Sequence, residues 1–65
     1  MLGEELRRAR QEKQMTQEQL SYAADVDRTY VSELENNHKS PTIDVLLRIC
    51  KALGVKASKL IAKIE

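Results

Sequence analysis

The chain has 65 residues, is 32% charged and 42% hydrophobic, and carries a formal net charge of +1. That is one small domain over residues 1–65, with no room for a second core or for an enzyme that builds its own substrate cavity, and too apolar to be disordered. No apolar run reaches the ~20 residues of a membrane span, no secretory leader pattern is present, and the lone Cys50 cannot form an internal disulfide, so a cytoplasmic location is expected.

The first element spans about residues 2–13, where Leu2, Leu6 and Ala9 make one apolar helical stripe. Glu4 and Glu5 in its first turn and Arg10 and Lys13 near its end complement the helix dipole. Arg7 and Arg8 read as a solvated face. A second helix starts after Thr16, because Thr16 and Gln19 have the spacing of a capping box and Met15 and Leu20 that of a hydrophobic staple. Its inward positions are read as Leu20, Ala23 and Ala24. A third helix starts after Asp27 and points Val31 and Leu34 inward. Its outward face carries Thr29, Ser32, Glu33 and Asn36, flanked by Arg28 and Tyr30. After a polar loop through Pro41, a fourth helix near Thr42 carries Ile43, Leu46, Leu47, Cys50 and Leu53 as its apolar stripe and stops at Gly54. A fifth unit, about residues 57–64, carries Leu60, Ile61 and Ile64. Strand signals are missing, and five short helices with tight connections predict an all-α bundle around one core.

Two of these helices, 17–24 and 28–36, are joined by only Asp25, Val26 and Asp27. That is helix-turn-helix spacing, in which the outward face of the second helix is free to enter a DNA major groove. Here the run from Met15 to Asn36, with the stretch from Ser40 to Val55, resembles the lambda-repressor/Cro-like (xenobiotic-response-element) helix-turn-helix family over nearly the whole chain. The segment Asp27 to Ser32 is also similar to the recognition helix of restriction–modification controller proteins. The resemblance implies a compact five-helix, lambda-repressor-like DNA-binding domain with the motif at about 17–36.

It further implies roles by position. Gln17 matches a glutamine that binds a DNA phosphate and orients the second helix, and the helix starts at Thr16–Gln17 and at Thr42 offer backbone N–H groups to phosphates. Arg28, Thr29, Ser32 and Glu33 match positions that face base edges, and Asn36, Lys39 and Ser40 match loop positions on the DNA backbone. Elementary chemistry agrees: an Arg entering the groove can bond guanine O6 and N7 together, and Glu33 can accept from cytosine N4. Tyr30 can touch a phosphate or cover the core edge. Arg10 and Glu35 match an ion pair that joins the first and third helices in the family. Three positions depart from the family: Asp25 and Asn37 stand where glycine is usual, and Lys56 replaces a Ser-like cap of the last helix.

Val55, Ile61 and Ile64 form a last apolar cluster, part of which closes the core while the remainder is the expected homodimer face. The function expected is a sequence-specific, double-stranded DNA-binding transcription regulator that reads an inverted repeat as a homodimer, a phage-type repressor or controller. The rival is a protein of the antitoxin or antirepressor kind, which uses the same fold mainly through a partner protein. Enzyme chemistry is not expected: Asp25, Asp27, Glu33 and Glu35 lie on different faces, and His38 has no ligand partner at metal-binding spacing. No cofactor, metal or small-molecule ligand is implied.

Overall fold

The computed structural model describes residues 2–63, as five α-helices: α1 (Leu2–Glu12), α2 (Gln17–Ala24), α3 (Arg28–Glu35), α4 (Ile43–Leu53) and α5 (Ala57–Ala62). The described residues contain no strand. α2 packs on both α3 and α4, α1 on α3 and α5, and α4 on α5, all closing over one core. That core is built from Leu6, Ala9, Leu20, Ala24, Val31 and Leu34, completed by Leu46, Ile49, Cys50, Leu53 and Leu60 of the second half. Burial pushes the Cys50 thiol up, which keeps it a neutral core residue.

Three helix starts follow directly from their sequences. Thr16 accepts from the Gln19 N–H at 3.0 Å while the Gln19 side chain accepts from the Thr16 N–H at 2.8 Å, so the capping box is closed from both sides. Asp27 caps α3 through the Thr29 N–H, and Thr42 caps α4 through the Val45 N–H. Lys56 makes no side-chain cap bond, so α5 begins without one, as its departure from the family pattern suggested.

The stops are alike too. Gln14, Asp25, Asn37 and Gly54 all adopt positive φ, at 58°, 56°, 60° and 70°. At each, the following N–H turns back onto a carbonyl five residues earlier: Met15 to Arg10, Val26 to Ser21, His38 to Glu33 and Val55 to Cys50. This is the Schellman stop, and glycine serves at only one of the four places. Asp25 and Asn37 tolerate the left-handed backbone well; Gln14 has no such aptitude.

Two faces differ from the periodicity reading. On α4, Ile49 is buried while Ile43 and Leu47 are 70% and 53% exposed. The stripe that meets α2 and α5 is Leu46, Ile49, Cys50 and Leu53, which places Ile43 and Leu47 at its margin with no further layer above them. On α2, Ala23 is exposed and Ser21 is buried instead. Ser21 tolerates burial because its hydroxyl donates to the Glu18 carbonyl at 2.7 Å.

Candidate nucleic-acid interface

α3 has two unlike sides. Val31, Leu34 and Glu35 are buried. Arg28 and Thr29 at its start are exposed, and Ser32 and Glu33 one turn on are half-buried. The structure therefore brings these four expected readers together along the outer side of one helix. Tyr30 is half-buried against the core edge, with the Lys39 ammonium 5.9 Å above its ring. Lys39 also lies 3.7 Å from the Glu33 carboxylate, so the loop cation is drawn back toward α3. Ser40 is exposed in the same loop.

The inner side of α3 is fixed by charge as well as packing. Glu35 is only 2% exposed, yet its carboxylate is surrounded by donors. Arg10 grips it with Nε at 2.6 Å and Nη2 at 3.1 Å, Gln17 Nε2 donates at 3.1 Å, and Arg7 Nε lies 3.5 Å away. Arg10 spends a further N–H on the Met15 carbonyl, tying in the α1–α2 turn. Burial pushes the Glu35 carboxyl up, but the bonds from Arg10 and Gln17 outweigh it and hold the carboxyl below its ordinary value of 4.5. Gln17 thus links α2 to α3 through Glu35, and its amide has a second N–H besides the one this bond uses.

The end of α3 is clamped by α1. The Gly3 N–H donates to Asn37 Oδ1 at 3.0 Å, and Asn37 Nδ2 donates to Glu4 Oε1 at 2.7 Å. That bond from Asn37 lowers the Glu4 carboxyl below its usual range. A Cβ at Gly3 would sit 2.5 Å from the Glu35 carbonyl oxygen and 2.6 Å from that of Leu34, so only glycine lets α1 approach this closely. Asn36, expected at the DNA backbone, has both ends of its amide engaged inside the protein: Arg7 donates to Oδ1 and Nδ2 donates to the Ser32 carbonyl, each at 2.9 Å. Thr16 is exposed with its hydroxyl oxygen committed to the cap.

This clamp of Gly3, Glu4, Arg7 and Asn37 was not anticipated from the sequence. The available signal was that Arg7 and Arg10 stand three residues apart, hence on one face of α1. Of the expected dimer residues, Val55 is half-buried against the core and Ile61 is 36% exposed; Ile64 lies outside the described residues. Among the described residues no three His, Cys, Asp or Glu side chains gather as a metal site.

A family model described as helix-turn-helix matches residues 6–60. This chain belongs to the lambda-repressor-like helix-turn-helix family. Within it, the chain is 36% identical over 62 residues to the control protein C.BamHI of Bacillus amyloliquefaciens, covering 94% of this chain and 76% of that one. The crystal structure of the restriction–modification controller protein C.AhdI from Aeromonas hydrophila superposes with a TM-score of 0.89 at 29% identity, covering 91% of this chain and 89% of that one. The clp gene regulator ClgR from C. glutamicum superposes at 0.90 with 34% identity, covering 95% of this chain and 80% of that one. Both the broad and the narrow resemblance are therefore shown. As a helix-turn-helix protein of this family, the chain is a DNA-binding transcription regulator.

Proposed function

We propose that the chain binds an inverted-repeat operator in double-stranded DNA as a homodimer, in the cytoplasm, and regulates transcription as a controller or repressor. The supporting observation is the two-sidedness of α3: its inner side is fixed by the core and by the Arg10–Glu35–Gln17 cluster, while Arg28, Thr29, Ser32 and Glu33 line its outer side. A helix held this way presents a rigid row of side chains to a major groove. Arg28 and Thr29 lead into the groove, with Ser32 and Glu33 one turn behind. Gln17, already fixed by Glu35, directs its second N–H to a phosphate, aided by the α2 N-terminus at Thr16. Lys39 and Ser40 meet the backbone beyond the end of α3, Lys39 leaving Glu33 and the Tyr30 ring to do so.

A homodimer fits the apolar surface that α4 and α5 leave uncovered. Ile43, Leu47 and Ile61 are exposed in a molecule whose own core is already closed. Two copies would present two recognition helices to two half-sites.

Binding of single-site variants to a selected operator tests this reading. Arg28→Ala is expected to cost about 1–3 kcal/mol and to relax preference at one base position. Gln17→Ala should weaken all sequences about equally, as loss of a phosphate contact does. Unchanged binding by Arg28→Ala would remove α3 from the groove and favour action through a partner protein.

A further inference from the structure

The Asn36 amide can sit only one way round. An arginine only donates and a carbonyl only accepts, so Oδ1 must face Arg7 and Nδ2 must face the Ser32 carbonyl. The same Nδ2 lies 3.5 Å from Ser32 Oγ, a long contact in which the amide donates and the hydroxyl oxygen accepts. Arg7 is itself pinned: its Nε lies 3.5 Å from the buried Glu35 carboxylate while its Nη2 reaches Asn36 at 2.9 Å. A continuous path therefore runs from the interior carboxylate through Arg7 and Asn36 to the hydroxyl of a residue on the outer side of α3.

We propose that Arg7 is a positioning residue that acts through Asn36 to hold the Ser32 hydroxyl as a donor toward an acceptor on a base edge. The physical reason lies in the hydroxyl's ambiguity. A free serine hydroxyl rotates and can either donate or accept, so it discriminates poorly between bases. With Asn36 Nδ2 on one lone pair of its oxygen, the hydroxyl keeps its proton and one further lone pair, and accepting from Asn36 polarises it toward donation. It then suits the acceptors of the major groove, N7 and O6 of guanine, N7 of adenine or O4 of thymine, better than the amino donors of cytosine and adenine. Neither Arg7 nor Asn36 needs to touch the DNA for this. The proposal rests on the reading that α3 enters the groove, and it adds the device that sets preference at one base position.

The test is selection of full-length wild type and variants against random duplex DNA, followed by affinities at several salt concentrations. Ser32→Ala identifies the base position that Ser32 reads. Asn36→Ala and Arg7→Ala are expected to relax that same position, with discrimination falling about fivefold or more. The double variant should be no worse than either single one, because both cut the same path. The dependence of affinity on salt should stay as in wild type for Asn36→Ala. Asn36 is exposed at the end of its helix, so its variant keeps the test open if Arg7→Ala folds poorly. Uniform weakening across all sequences, with a salt slope reduced by about one for Arg7→Ala, would make these residues phosphate contacts and overturn the proposal. Additive effects, or relaxation at a position other than that of Ser32, would overturn it as well. If wild type enriches no sequence at all, the groove reading falls first and the proposal with it; if wild type enriches a site and Asn36→Ala reads it unchanged, only the proposal falls.

Discussion

Glu35 brings a negative charge into the interior, and the side chains that answer it come from two other helices. Taking one partner from such a group costs far more than the pair contributes, because the remaining charge stays buried. Arg10→Ala is therefore expected to lower stability by about 3 kcal/mol or more, read as a fall in the urea midpoint. Replacing both residues with methionine should cost much less, which would show that the pair orients α3 more than it stabilises it. The pH dependence has a definite sign. The folded Glu35 carboxyl sits below its ordinary value of 4.5, so its contribution is fully present above that value. It is lost as pH falls through the lower folded value. Glu35→Gln should accordingly show a shallower loss of stability on acidification than wild type, in parallel urea titrations from neutral pH to below 4.5. The Arg10–Glu35 pair was legible from the family pattern, but the contributions of Gln17 and Arg7 to the same carboxylate were not. They depend on how α2 and α1 cross α3, which one helix's periodicity does not encode.

At the scale of the element, starts were easier to read than stops. The capping box at Thr16 and the caps at Asp27 and Thr42 are local hydrogen bonds between neighbours in sequence, so residue type and spacing decide them. Thr16→Ala should lower stability by about 1 kcal/mol, measured by chemical denaturation. The left-handed stop at Gln14 carries no such residue signature. There the Met15 N–H bonds the Arg10 carbonyl and the Arg10 guanidinium bonds the Met15 carbonyl, so the turn is closed by contacts outside Gln14 itself. Gln14→Gly should raise stability by about 0.5–1 kcal/mol by relieving the left-handed strain. A drop in the thermal midpoint would mean that the Gln14 side chain does more than the backbone shows. Faces were legible only where apolar residues fill a single stripe. On α4 they extend to Ile43 and Leu47, beyond what the core can cover, and the period alone did not separate the two sets.

For the molecule as a whole, the five-helix architecture follows from short helices and short connections, and the motif from its three-residue turn. What the sequence concealed is the pairing of surfaces remote along the chain: Gly3 and Glu4 against Asn37, and Arg7 against Asn36. Self-association is proposed at the uncovered apolar residues Ile43, Leu47 and Ile61, of which Ile61 alone belongs to the face expected from the sequence. Ile61→Lys should shift sedimentation toward the monomer and weaken operator binding while leaving the helical signal unchanged. A dimer that persists with unaltered affinity would place the interface elsewhere.

Selection of the purified chain against random duplex DNA at two salt concentrations decides whether α3 reads a specific inverted repeat. Enrichment of an inverted repeat whose half-sites lie one helical turn, ~10 base pairs, apart is expected, with discrimination that survives at the higher salt. Weak binding that enriches no sequence and vanishes as salt rises would contradict it.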